Sequence, residues 1–506
     1  MKKPILSIII LLCLILSVVL QSCAEEKPEE SSSPAASQAE TSEASEPSEE
    51  SSSPEEQEPE LGLPDELMFP DEEVTILVRN GNLYQMEFGT EEIDSSALNS
   101  LLIERTQNVE ERLGIKLKTI VQQTDSGVYA PTNFNQKVMN AILSGDPGYD
   151  VVAFYAYYGV ALGSDEYLYN MWDVPYLDFE KPWWNRDYIN EMTVNENLYF
   201  LVGDACFTSL DFTFAMYFNK ELVARYYPEV DLYGIVKKGD WTIDTFRELI
   251  KETYDELDGD GVKSDGDFFG MYSATAATPL DALFVSMGGT ITEKNSEGIP
   301  ELVFYSQRNI DFFDKMYQFL FETNGVQPGH YTGESGALAH EKFQKAETIF
   351  DVGTLNYSES LRDVDFIYGL LPLPKMDTEQ ENYLTCCTDG CSILAIPNCI
   401  DEERLELVGA TLELLAYESY KTVTPNYFTK IVKNGYLDSD DDLEMYDILH
   451  SGLTYNFGIS NSIALKDIQH LVREILDNRS HDFKSAYDAV GPAAEDALEK
   501  LLESYR

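Results

Sequence analysis

Apolar periodicity switches back and forth between residues 74 and 154, and this alternation constrains the fold more than any other stretch. Residues 74–78 (VTILV) form a short apolar run of strand length. Leu98, Leu101, Leu102, Val109 and Leu113 then recur at helical spacing, with Asp94 or Ser95 as cap and Gly114 as stop. Residues 115–121 return to strand character. Phe134, Val138, Ala141 and Ile142 give a second amphipathic helix, ended by Ser144-Gly145-Asp146-Pro147-Gly148. Residues 150–154 (DVVAF) are the third strand. Strand–helix–strand–helix–strand at this spacing needs right-handed crossovers and predicts a parallel sheet in an α/β chain. In such sheets ligands bind beyond the carboxyl ends of the strands. Tyr155, Tyr157 and Tyr158 follow the third strand directly and are the first binding-site candidates.

A second organising stretch is 366–397. A β-rich run, FIYGLL, stops at Pro372-Leu-Pro-Lys375. After a polar loop, a second β-rich run, YLTCCTDGCSILAIP, leads toward a helix over 402–420. Proline removes a ladder donor, so Pro372 and Pro374 mark a strand end. Chain of this kind passes between compact units, and 506 residues, 43% of them hydrophobic, supply more than one lobe. Between these stretches an apolar strand over 212–218 precedes Asn219-Lys-Glu-Leu222, and Gly239-Asp240-Trp241-Thr242 opens a helix. Gly288-Gly289 permits close backbone approach. Residues 348–357 read as a strand ending in a small polar turn, Pro425 as a helix break, and 493–505 as a terminal helix. Trp183-Trp184 reads as a pair packed under a long loop rather than as a sugar platform.

The N-terminus is an export signal. Lys2 and Lys3 precede an apolar region over 5–20, closed by Leu20-Gln21-Ser22-Cys23. The last four residues match a bacterial lipobox, in which Cys23 is diacylated; a plain signal peptide or membrane anchor is the alternative. Residues 24–70 read as a disordered acidic linker, low in complexity from Ala24 to about Pro64. The net charge of -55 should repel nucleic acid and anionic lipid headgroups, and it identifies no partner because much of the acidic excess sits in this one tail.

Cys386-Cys387-x-x-x-Cys391 lacks a zinc spacing and a nearby histidine, so buried thiols are expected rather than a metal site. Residues 256–267 (ELDGDGVKSDGD) fit a calcium loop, with Glu256, Asp258, Asp260, the carbonyl of Val262, Ser264 and Asp267 as oxygen ligands. Position 1 is Glu and position 12 is Asp, so a structural calcium stands beside a solvated acidic loop. No cofactor is required.

Several pieces in this order resemble a known family. They are the lipobox at Cys23, Ser144-Gly-Asp-Pro-Gly-Tyr-Asp150-Val-Val, Phe218-Asn-Lys-Glu-Leu222 and the Asp240-Trp-Thr helix start. Phe366-Ile-Tyr-Gly-Leu-Leu-Pro-Leu-Pro-Lys375 and Ser392-Ile-Leu-Ala-Ile-Pro397 complete the set. Together they resemble the extracellular solute-binding proteins of ABC importers, in the carbohydrate-type family that includes maltodextrin-binding proteins. The turn at Gly353 lacks the Trp that many sugar-binding members carry there.

The resemblance implies a two-lobed, periplasmic-binding-protein-like α/β fold, with a ligand cleft between lobes joined by hinge strands. One lobe would comprise 71–210 and 388–422, the other 211–387 and 423–506. Crossings would lie at 207–218, 383–392 and 421–427. Aromatic rings cover the C–H faces of a sugar, and polar side chains satisfy its hydroxyls. Facing the cleft would be Tyr155, Tyr157 and Tyr158, then Asp211 and Asp389 near the crossings, and Thr354, Asn356, Tyr357 and Arg362. The partners implied are a small solute, an ABC permease and the membrane through the lipid anchor, on the outer face of a bacterial cell. A lipid-anchored sensor for peptides or other solutes is the alternative. An enzyme, for example a glycosidase, ranks below both: among 90 acidic residues carboxylate pairs are uninformative, and no HExxH or Gly-x-Ser-x-Gly motif is present.

Overall fold

The structure, a computed structural model, describes residues 59–89, 93–123, 132–145, 147–257, 259–329, 337–427, 429 and 439–506. The signal stretch, Cys23, the linker up to residue 58 and Asp258 lie outside the described residues. Residues 59–70, expected as the end of the linker, are instead held on the fold. The Phe69 amide donates to the Leu113 carbonyl at 2.7 Å, and Arg112 donates to the carbonyls of Leu67 and Pro64 at 2.9 and 2.7 Å. Leu63, Leu67 and Phe69 supply the apolar surface that the Ser/Glu/Pro tract lacks, and Leu63 is buried.

The strands are β1 (Glu73–Arg79), β2 (Lys116–Gln122), β3 (Val151–Tyr155), β4 (Phe214–Asn219), β5 (Tyr254–Asp255), β6 (Phe268–Ala274), β7 (Thr292–Lys294), β8 (Pro300–Leu302), β9 (Val326–Gly329), β10 (Thr348–Thr354), β11 (Tyr368–Leu371) and β12 (Ser392–Ala395). The predicted parallel sheet is present: β1 pairs in parallel with both β2 and β3. Its order is β12-β3-β1-β2, with β12 antiparallel on β3. The helices Ala97–Leu113 and Thr132–Leu143 make the crossovers. Ser96, rather than Asp94 or Ser95, caps the first: its hydroxyl accepts from the Asn99 amide at 3.1 Å. Asp94 instead accepts from the Ser96 amide, which orients that cap. Gly114 ends the helix at φ +70°. Asp150, before β3, accepts from the Thr75 amide at 2.9 Å and from Arg404 Nε at 2.7 Å, tying β3 to β1 and to the helix Glu402–Glu418.

The second sheet runs β11-β4-β10-β6-β5, with β9 also on β6. It is mixed: β4 is antiparallel to β10 and β11, while β6 is parallel to β10 and β9. Asn219 caps the helix Lys220–Tyr226 through its side-chain oxygen, and Thr242 caps Ile243–Ile250. Trp241 is fully buried, and its indole N–H donates to the Pro372 carbonyl at 3.0 Å. The Pro-Leu-Pro-Lys break is thus a docking edge for that helix. Trp183 and Trp184 are buried, and both indoles donate to Glu413, at 3.0 and 2.8 Å.

The chain departs from expectation at the joins. The first crossing starts as a helix, Phe207–Asp211, and becomes strand only at Phe214. The second β-rich run is not one strand: Thr385 and Cys387 form isolated bridges to Leu453 and Thr213, and a turn at 388–391 precedes β12. Pro425 does not break the chain, because a π-helical turn, Ser419–Val423, passes into the helix Thr424–Tyr427. The last helix spans Phe483–Glu503, started by Asp482, whose carboxylate accepts from the Ser485 amide at 3.0 Å.

Candidate ligand-binding site

The end of β3 meets the crossing turn before β12. The Ala156 amide donates to the Cys391 carbonyl at 3.0 Å, and the Tyr157 amide to the Asp389 carbonyl at 3.2 Å. A short helix, Ala156–Gly159, starts directly after β3, so Tyr157 and Tyr158 stand at its carboxyl end with ring centroids 5.0 Å apart. Both rings line a cavity of about 400 Å³, a size that holds a small solute. Asp389 lines it too, and the Tyr155 hydroxyl donates to Asp389 Oδ1 at 3.3 Å. Behind them the Arg79 guanidinium lies over the Tyr84 and Tyr155 rings, 3.7 and 4.7 Å from their centroids, and donates to the Gly390 carbonyl. Burial raises the Asp389 carboxyl; Asp281 adds to the shift, while Arg473, Tyr155 and Arg79 oppose it.

The other wall comes from the helices Thr278–Ser286 and Leu471–Asp477. Arg473 grips Asp281: Nε lies 3.1 and 3.0 Å from the two carboxylate oxygens, and Nη2 also contacts Oδ2. Thr275, just after β6, donates to Asp477 at 2.6 Å, which fastens this wall to the second sheet. Gly288 and Gly289 bring backbone to the cavity. Gly288 has φ +74°, and a Cβ on Gly289 would sit 2.3 Å from the Phe284 ring. Tyr455, His470 and Asn456 complete this side.

The structure separates the expected site residues into two groups. Tyr157, Tyr158 and Asp389 share the cavity, with Tyr155 directly behind. Asp211, Thr354, Asn356, Tyr357 and Arg362 are not in its lining. After β10 the chain enters a 3-10 helix, Leu355–Leu361, that turns Tyr357 inward. Tyr357 stacks on His340 at 3.9 Å and packs edge-on to Tyr217. The Thr354 hydroxyl donates to Asn356 at 2.6 Å. Asp211 accepts from the Tyr427 hydroxyl, and burial raises its carboxyl to about 7. Arg362 is on the surface, 3.4 Å from Glu359.

Glu256, Asp260 and Asp267 cap the backbone of their own loop. Glu256 accepts from the Gly261 amide at 2.9 Å and Asp260 from Val262 at 2.7 Å. Asp267 accepts from the amides of Leu257 and Ser264, each at 3.0 Å, and from the Tyr254 hydroxyl at 3.2 Å. The Ser264 hydroxyl accepts from Gly266. Val262 is exposed. Among the described residues no three His, Cys, Asp or Glu side chains are grouped to hold a metal.

A model of the bacterial extracellular solute-binding protein family matches residues 89–397. The chain belongs to that family.

Solved structures share the fold of this solute-binding protein. The ABC substrate-binding protein Lmo0181 from Listeria monocytogenes, in complex with cycloalternan, is 13% identical, with 86% of this chain and 98% of that one covered at a TM-score of 0.51. A cyclo/maltodextrin-binding protein complexed with maltotetraose is 12% identical, covering 86% and 97% at 0.51. The GacH receptor of Streptomyces glaucescens GLA.O, solved unliganded and with acarbose, is 12% identical, covering 86% and 100% at 0.52. At these identities the likeness concerns the fold, two α/β lobes with a cleft between them. A comparison with curated protein sequences returns no match. In this solute-binding protein the residues that sequence reasoning missed are Asp281 and Arg473. They lie 192 positions apart, so no local pattern joins them. Gly288-Gly289, legible in the sequence only as a place of close backbone approach, lies in this wall.

Proposed function

We propose that this extracytoplasmic protein captures a neutral, hydroxyl-rich solute, a sugar or oligosaccharide, by hinge closure, and delivers it to an ABC permease. One observation carries the reading: the Tyr157 and Tyr158 rings share a cavity with the Asp281–Arg473 pair and with Asp389. Rings cover sugar C–H faces, and paired ions offer acceptors and donors to hydroxyls. The fold neighbours solved with cycloalternan, maltotetraose and acarbose support it. In this reading the lobes are 71–210 with 388–422 and 211–387 with 423–506, and the 383–391 segment is a hinge. A diacylated Cys23 and the acidic tract after it tether the body to the outer face of the membrane. The protein binds its solute without turning it over.

Thermal shift against maltotetraose, cycloalternan, acarbose and mixed peptides tests this. Stabilisation by a sugar that is recovered unchanged by chromatography is the expected result. A shift with peptides alone, or conversion of the sugar, overturns it.

A further inference from the structure

The cavity holds a feature that solute capture does not use. Cys387 and Cys391, both lining it, place their sulfur atoms 3.3 Å apart, and both are free thiols in this structure. The pair straddles the crossing turn. Cys387 bridges to Thr213, the residue before β4, and Cys391 immediately precedes β12. The turn between them carries Asp389 into the cavity and presents the Gly390 carbonyl to Arg79 and Tyr84, at 3.0 and 3.3 Å.

We infer that Cys387 and Cys391 are a disulfide site, whose cross-link closes the 387–391 turn and fixes Asp389 in the ligand cavity. The compartment suits it, since extracytoplasmic proteins sit where disulfides persist. The geometry sets the order of events. Cys387 is the more exposed of the two and faces the cavity, whereas Cys391 is buried. The Cys391 sulfur lies 3.3 Å from the Cys387 sulfur, and the Tyr455 hydroxyl lies 3.7 Å from the same Cys387 sulfur. Both contacts favour a thiolate at Cys387 over burial, which opposes it. The co-reactant is a small-molecule disulfide of the glutathione type, RSSR. The Cys387 thiolate attacks one of its sulfurs, forming a mixed disulfide and releasing RS⁻, which takes a proton. The Cys391 sulfur gives up its proton and attacks the Cys387 sulfur, expelling the second RS⁻. The sum is protein dithiol plus RSSR giving protein disulfide plus two RSH: the cysteine pair loses two electrons and the small disulfide gains them.

Full-length purified protein treated with oxidised glutathione, and a sample kept reduced, are acid-quenched, alkylated in denaturant and mapped by mass spectrometry. The expected result is loss of alkylation at Cys387 and Cys391 alone, while Cys206, Cys386 and Cys399 react in both samples. Cys391→Ser is expected to stop at the mixed disulfide, with glutathione on Cys387, and Cys387→Ser to keep its other thiols fully reactive. Full alkylation of the oxidised wild type, or a pair that includes Cys386, Cys399 or Cys206, overturns the assignment. The wild-type map decides the matter even where a variant fails to fold.

Discussion

Tyr157 donates its hydroxyl to Asp467 Oδ1 at 2.8 Å. The bond runs from the carboxyl end of β3, in the first sheet, to the segment that leads into the helix Leu471–Asp477, which is fastened to the second sheet. It therefore joins a cavity-lining ring at the end of β3 directly to the opposite side. Tyr157→Phe keeps the ring and removes the link, at a cost of about 1 kcal/mol. The closed-to-open ratio in the presence of ligand should fall by a factor of ~5, read as a larger radius of gyration in solution scattering. An unchanged radius would remove this bond from closure.

Arg473 and Asp281 stand or fall together. Removing the guanidinium leaves a buried carboxylate without its counter-ion, so Arg473→Ala should destabilise the fold by about 3 kcal/mol in urea unfolding. Asp281→Asn combined with Arg473→Met leaves no charge behind and should recover most of that loss. Ligand binding should remain impaired in both, which separates the stability role from the site role.

Stability should fall as pH rises from about 4 to about 7. An unfolded carboxyl has lost its proton above about 4, whereas burial holds the Asp211 carboxyl protonated up to about 7. The folded state thus binds more protons across that window, and the stability this contributes is lost as pH climbs through it. Burial lifts Glu413 to about 7 and Asp204 to about 8, with the same sign. His340 adds to it: burial depresses its pKa, but Asp351, 2.6 Å away, outweighs burial and raises it. Asp211→Asn should flatten the slope of unfolding free energy against pH by up to about 1.4 kcal/mol per unit.

Asp267 closes the acidic loop by accepting from two amides and a tyrosine hydroxyl. Asp267→Ala should lower the melting midpoint by the same amount with calcium and with a chelator. A drop seen only with calcium present would show that the loop binds the ion.

The βαβαβ unit was legible because its signals are local. Strand runs alternate with capped amphipathic helices, and Asp150, Asn219 and Thr242 act within reach of their own neighbours or of the first strand. The end of β3 was legible as a site for the same reason, since a parallel sheet fixes where its strands stop. Tyr357 was not. Its strand was found, but whether the ring faces cavity or core depends on Tyr217 and His340, brought in from other elements. Asp281 and Arg473 were invisible for a related reason: in a chain with 90 acidic residues, one cavity-lining carboxylate is marked only by the guanidinium that folding sets beside it. The 383–391 segment read as strand from its composition, yet Gly390 and the Thr388–Cys391 turn let it cross between sheets without joining either ladder.

The central claim is that a sugar is held against the rings at the end of β3. Calorimetric titration of wild type and Tyr158→Ala with maltotetraose and related neutral oligosaccharides tests it most directly. Loss of one stacking face should weaken binding about tenfold, on the order of 1.4 kcal/mol. Equal affinity in both proteins, or heat from peptides and none from any sugar, would contradict the claim.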